Sequence, residues 1–299
     1  MASPQAEALN EMFRQARHQV VDSQPTVAEQ RAASEAFVQL GTFPDDVAIS
    51  EADLGGLVGR WFTPKAANEE RVVMYFHGGG YVTCSIDSHQ NLIASIAKAA
   101  DCRALAVDYR LAPEHPHPAA VEDAVSAYRW LLASGVAPEK IALAGDSAGG
   151  GLAIATLILL RDRDLPRPGC CVALSPWLDL EGTGGTMTSN AEVDFLVSDA
   201  GLKVMRDLYL AGSDARAPLA SPLHAALNDL PPVYLQVGGS ETLLDDSRRF
   251  ADKAVAAGSK VKVDVIPEMQ HVFQIAVGNM PEADKAVAQI GSWLQSVLG

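Results

Sequence analysis

A chain of 299 residues with 48% hydrophobic and 20% charged side chains is too apolar for disorder and long enough for one large α/β core. Its formal net charge of −14 repels phosphate backbones, which argues against nucleic acid as a partner, and reads mainly as solubility. No stretch reaches the roughly 18 uncharged apolar residues of a membrane helix, and the four cysteines (Cys84, Cys102, Cys170 and Cys171) lack both zinc-site spacing and disulfide-scaffold density.

The first 40 or so residues read as helical, with Leu9, Met12, Phe13 and Ala16 on one face. Their start has no apolar run long enough for a signal peptide, so a reducing, cytoplasmic setting is expected. Residues 47–62 alternate weakly around Gly55-Gly56, the pattern of a hairpin. Short apolar runs follow at 72–76, 104–109, 141–144, 170–174, 233–237 and 261–266. Amphipathic helices separate them near 88–100, 119–134, 148–162, 245–257 and 282–298. Strands and helices alternating in this way imply a mostly parallel sheet covered on both faces. Residues 180–224 break the rhythm with a Gly/Thr-rich turn, a helix over 199–210 and a Pro-containing loop. They read as an insertion that, with the N-terminal helices, lids the carboxyl ends of the strands. The expected division is 1–45 as N-terminal cap helices, 46–179 with 225–299 as the catalytic domain, and 180–224 as cap insertion.

The sharpest chemical signal is Gly145-Asp146-Ser147-Ala148-Gly149, a G-x-S-x-G turn between a strand and a helix. Such a turn exposes the serine hydroxyl, and its flanking glycines make room for a strained backbone. A second signal, His77-Gly78-Gly79-Gly80, directly follows a strand. No Lys follows, as a phosphate-binding P-loop would need. Backbone N–H groups of Gly78 and Gly79, with that of Ala148, are the expected donors to an oxyanion.

A nucleophilic serine needs a base. Of seven histidines, His18, His77, His89, His115 and His117 precede Ser147, and His224 precedes every candidate acid. His271 lies in a loop after the last predicted strand and is the expected base. The acid falls among Glu241, Asp245, Asp246, Asp252 and Asp264. Glu241, just past a strand end, is the expected acid, with Asp245 its rival.

These residues resemble the hormone-sensitive-lipase-like, or type IV, lipolytic esterases. The resemblance rests on HGGG at 77–80, DYRLAPEHPHPAAVED at 108–123, GDSAGG at 145–150, a GGSETLLDDS block from 239 and QHVF at 270–273, in family order. It implies an α/β-hydrolase fold: a mostly parallel central sheet with helices on both faces and a helical cap. The implied activity is that of a serine carboxylesterase acting on short-to-medium acyl esters without cofactor or metal. A homodimer through an edge strand and the final helices is also implied. The family commonly has Asp where this chain has Glu241, a small residue where it has Cys84, and Phe where it has His117. The resemblance gives Asp108, Glu114 and Asp146 structural roles near the oxyanion loop. Phe13, Trp177, Asp194, Phe195, Leu196 and Leu208 are expected to shape the substrate pockets, and Cys84 to line them or sit beside them. Two alternatives on the same scaffold stay open: an amidase or arylformamidase with the same triad, and a non-catalytic small-ligand receptor of the kind that lacks the His.

Overall fold

The computed structural model describes residues 2–20 and 25–299; the side chains of residues 16 and 18–20, including Ala16 and His18, lie outside the described set. The chain opens with α1 (Pro4–Val20) and α2 (Val27–Ser34), then a 3-10 turn at Glu35–Leu40. A capping box starts α2: Thr26 Oγ1 accepts from Glu29 N–H while the Glu29 carboxylate accepts from Thr26 N–H. Phe13 is buried and Leu9 partly so, but Met12 is exposed, so the apolar face of α1 is narrower than its sequence suggests.

Strands β1 (Val47–Asp53) and β2 (Val58–Pro64) form the expected hairpin. Its turn is fixed by Asp53, whose carboxylate accepts from the N–H groups of Gly55 and Gly56, both at positive φ. Then come β3 (Asn68–Phe76), α3 (Ile86–Ala99), β4 (Cys102–Val107), α4 (Ala119–Ala133), β5 (Ile141–Asp146), α5 (Ala148–Asp162) and β6 (Cys170–Leu174). After two further helices, α6 (Thr186–Ser189) and α7 (Asp199–Leu210), the core resumes with β7 (Val233–Gly238), α8 (Leu244–Ala256), β8 (Val261–Ile266) and α9 (Pro281–Leu298).

The eight strands lie in the order β1-β2-β4-β3-β5-β6-β7-β8; β2 alone is reversed, pairing antiparallel with both β1 and β4, and the remaining neighbours pair in parallel. The inner strands are buried on both faces, which is why they read as continuous apolar runs. One face packs on α3 and α9 through Leu92, Ile93, Ile96, Ile290 and Leu294. The other packs on α4, α5 and α8 through Tyr128, Leu152, Leu157 and Phe250. The chain leaves β3 toward β4 on one side and returns to β5 on the other. This is a topological switch, and the carboxyl ends of β3 and β5 open onto it. Between β6 and β7 no strand forms among the described residues, and α7 occupies the predicted 199–210 span. Arg17 of α1 reaches across to the carbonyls of Ala191 and Asp194, and Arg14 lies over the Phe195 ring.

Helix α9 packs closely on α3 at Gly291, where an added Cβ would lie 2.2 Å from the Ala99 carbonyl oxygen. Gly291→Ala is therefore expected to cost about 1–3 kcal/mol, because backbone and not a flexible side chain must yield. The measurement is the urea midpoint at unchanged m-value.

Candidate active site

Ser147 stands between β5 and α5 at φ 52° and ψ −120°, in a region that ordinary residues avoid. Such a backbone costs roughly 1–3 kcal/mol and persists only where its surroundings enforce it. Here they do. Ser147 N–H donates to Leu174 O at 2.8 Å, and Ser147 O accepts from both Gly151 N–H and Trp177 N–H at 3.0 Å. The turn is tight enough to forbid side chains on either flank. An added Cβ at Gly145 would lie 2.3 Å from Gly149 O, and one at Gly149 2.0 Å from Phe76 O. The rest of α5 is buried almost without break from Ala148 to Leu160, so the helix cannot rotate to relieve the strain.

The loops after β7 and β8 bring Glu241 to His271. His271 Nδ1 and Glu241 Oε2 are 2.7 Å apart, both groups are buried, and Nε2 has no protein partner among the described residues. Glu241 Oε1 also accepts from Gly238 N–H at 2.5 Å and from the Ser175 hydroxyl at 2.8 Å. Ser175 in turn accepts from Val272 N–H, one residue past the histidine, so acid and base share a single clamp. Burial disfavours the imidazolium, but the charge and hydrogen bond of Glu241, helped by Asp194 and Asp146, outweigh it and leave the His271 pKa raised.

The rival acids are occupied elsewhere. Asp245 accepts from Thr186 N–H and lies 3.5 Å from Arg248. Asp246 accepts from the N–H groups of Leu178 and Asp179, and its burial pushes its pKa up to about 7. Asp264 accepts from the Tyr234 hydroxyl, and Asp252 is exposed. His224 lies 3.5 Å from both Asp179 and Glu181. Those three could hold a metal by spacing, but the Asp179 carboxylate already binds Arg249 at 2.8 Å and the Thr183 hydroxyl at 2.5 Å.

The glycine loop after β3 corrects one expectation. Gly78 N–H donates to Asp146 Oδ1 at 3.1 Å and is thereby removed from the donor set. Asp146 is held by the Tyr75 hydroxyl at 2.8 Å and by His89 Nε2 at 3.2 Å, so its orientation of the loop, as expected, runs through β3 and α3. It is Gly79 and Gly80 that border the cavity, and among the described residues their N–H groups meet no protein acceptor. Ala148 opens α5, where the first N–H groups have no intrahelical partner and the helix dipole is positive. His77 is not chemical: its ring stacks on Tyr109, its Nδ1 lies 2.7 Å from Gly78 O, and burial first, with His89 adding, lowers its pKa to about 4. Asp108 is exposed and makes no side-chain hydrogen bond to the loop among the described residues, contrary to expectation. Glu114 acts indirectly. It pairs with Arg31 of α2, which also donates to the carbonyls of Val82 and Ala112 behind the glycines.

Ser147 and His271 line one cavity of about 240 Å³. Leu202 and Met205 of α7 and Phe13 of α1 line it, Met205 packing directly on Gly80, and Phe37, Leu196 and Ile275 add further apolar wall. Cys84 lines it as expected; burial pushes its thiol up to about 12, so it is a neutral wall residue. Of the other expected pocket residues, Trp177, Asp194, Phe195 and Leu208 do not line the cavity. Trp177 is buried beneath the serine turn and Asp194 is consumed by backbone hydrogen bonds. Ser175, Gly80 and Arg31 were not singled out by the sequence. Only the third glycine of the HGGG run carries a readable signal; Ser175 and Arg31 act through contacts made by packing.

The sequence pattern of the alpha/beta hydrolase fold family matches residues 73–275. An acetyl-hydrolase of Streptomyces hygroscopicus is 41% identical over 300 residues, covering 100% of this chain and 99% of its own. Esterase LipU of Mycobacterium tuberculosis is 37% identical over 241 residues, or 78% of this chain and 80% of its own. A solved esterase from the bacterial hormone-sensitive lipase family superposes with a TM-score of 0.96 at 42% identity, over 100% of both chains.

The two carboxylates of the acid loop should separate cleanly. Glu241→Ala is expected to lower p-nitrophenyl ester turnover by at least about 10³-fold, whereas Asp245→Ala stays within about tenfold of wild type. The reverse ranking in a steady-state assay assigns the acid to Asp245.

Proposed function

The chain belongs to the α/β-hydrolase family, in its hormone-sensitive-lipase branch, and is a carboxylic ester hydrolase; from that premise we propose that it cleaves short-to-medium acyl esters through an acyl-enzyme on Ser147. The observation that carries this reading is the buried Glu241–His271 pair at 2.7 Å, in one cavity with a serine on a strained turn. Nε2 of His271 takes the Ser147 proton as Oγ attacks the ester carbonyl. Glu241 fixes the tautomer that leaves Nε2 unprotonated, and stabilises the imidazolium. The N–H groups of Gly79, Gly80 and Ala148 receive the oxyanion, with Gly80 in place of Gly78; loss of one such donor costs on the order of 10²–10³ in kcat. His271 returns the proton to the leaving alcohol. Water, deprotonated by the same base, then attacks the acyl carbonyl and frees Ser147.

The apolar cavity of about 240 Å³ supports short-to-medium acyl chains over long ones. Residues 1–45 and 180–224 act as the cap, since α1 and α7 both contribute to the cavity wall. The edge strand β8, unpaired on its outer side, with α9 beside it, is the surface proposed for a homodimer. No helix among the described residues is long and apolar enough to cross a membrane. Four buried free cysteines suit a reducing compartment, and the cytoplasm is the proposed location.

A p-nitrophenyl ester panel from acetate to palmitate should peak at the short-to-medium end, and Ser147→Ala should abolish turnover across it. Full activity in Ser147→Ala sinks the mechanism. The reaction also has a pH signature. His271 must be neutral to accept the proton, and its pKa is raised, so kcat/KM should rise with pH through an apparent pKa above 6.5. Glu241→Gln removes the charge that holds the proton on His271. The acid limb should then move to lower pH while kcat falls on the order of 10⁴-fold.

A further inference from the structure

We propose that Asp194 is a positioning residue of the hydrolytic site: its buried carboxylate ties the cavity wall at Leu196 and Val197 to Thr242, the neighbour of Glu241. This rests on the triad reading above and deepens it. The sequence suggested a pocket residue, but Asp194 is fully buried and faces no cavity. Every hydrogen bond to its carboxylate is instead donated by the cavity wall at Leu196 and Val197 or by Thr242 of the acid turn. Oδ1 accepts from Leu196 N–H at 3.1 Å and Val197 N–H at 2.8 Å. Oδ2 accepts from Thr242 N–H at 2.7 Å and the Thr242 hydroxyl at 2.9 Å.

Asp194 is the centre of a wider clasp. Its N–H donates to Asn190 O, and Asn190 Nδ2 donates to the carbonyls of Gly239 and Glu241. On its other side Gln270, beside His271, accepts from Phe195 N–H and donates to Val193 O, each at 2.8 Å. Segment 190–197 therefore grips both the acid turn and the base turn, with the buried Asp194 carboxylate at its middle and exposed Glu192 beside it. Three carboxylates act on His271: Glu241 in contact, then Asp194 and Asp146 through space. Asp146 is already paired with His89; on the Asp194 side Arg17 donates to the Asp194 carbonyl at 2.6 Å and Arg14 lies over the neighbouring Phe195 ring. Asp194 thus does two jobs at once. It sets where Glu241 stands, and its charge favours the imidazolium that forms when Ser147 is deprotonated.

The test compares wild type, Asp194→Asn, Thr242→Val, Asp123→Asn and Ser147→Ala by thermal unfolding and by pH profiles of p-nitrophenyl ester hydrolysis. Asp194→Asn keeps one acceptor oxygen but loses the charge. It should lower kcat roughly 10- to 100-fold with a smaller change in KM, and move the acid limb of kcat/KM to lower pH. Asp123→Asn removes a buried carboxylate that is paired with Arg110 and is not among those acting on His271, and should leave that limb in place. Should Asp194→Asn fail to unfold cooperatively, Thr242→Val, which deletes only one hydroxyl contact, should still lower kcat several-fold; unchanged kcat there overturns the proposal. A folded Asp194→Asn with the wild-type acid limb, or an equal shift in Asp123→Asn, overturns it as well. Retained turnover in Ser147→Ala would instead overturn the triad on which it rests.

Discussion

A serine at φ 52° and ψ −120° relaxes unless its neighbours prevent it, and the surroundings of Ser147 are organised to prevent it. The β5–β6 register supplies Leu174 O to its N–H, and the loop after β6 supplies the Trp177 N–H to its carbonyl. Gly145 and Gly149 let the β3 end approach to distances no side chain would survive. The buried length of α5 anchors the turn on the far side. Local strain of a few kcal/mol is thus offset by a helix and a sheet that bury far more apolar surface. The product is a hydroxyl raised above the carboxyl ends of the strands, beside the free N–H groups that open α5.

The electrostatic arrangement follows the same economy. Buried carboxylates are expensive unless their oxygens are satisfied, and Asp146 and Glu241 are held by the groups they position. Asp146 binds Gly78 N–H and so fixes the glycine loop, which turns Gly79 and Gly80 toward the cavity. Glu241 fixes His271 through one oxygen and is itself fixed by Ser175 and Gly238 through the other. The extra methylene of Glu241, relative to the Asp usual in the family, does not cost reach. Its carboxylate folds back onto Gly238 N–H at 2.5 Å, so the longer arm is braced at both ends. Neutral side chains stand in and behind the wall: Cys84 stays a thiol and His77, stacked on Tyr109, an uncharged imidazole because both are buried.

Much of this was readable in the chain, for identifiable reasons. The serine turn declares itself because steric exclusion permits only glycine at 145 and 149. His271 declares itself because strand order fixes where a base can stand, and the same logic ranked Glu241 over Asp245. The hairpin at Gly55-Gly56 and the helix over 199–210 follow from turn chemistry and amphipathic spacing. What the chain concealed depends on packing between distant elements. That Gly78 is spent on Asp146 follows from how Tyr75 and His89 hold that carboxylate, which no local pattern encodes. Ser175 sits in a stretch without a motif, yet joins the acid and base loops. Trp177 and Asp194 look like pocket residues in a loop, but become foundations once β6, β7 and the acid turn converge.

The central claim is that a single hydroxyl, activated by one imidazole, carries the acyl group. Peptide mapping by mass spectrometry after reaction with a p-nitrophenyl alkylphosphonate tests it most directly, with the labelling rate followed against pH. One adduct per chain on Ser147 is the required result, formed at a rate that climbs as His271 loses its proton. An adduct on another residue, or a labelling rate indifferent to pH across that range, contradicts the account.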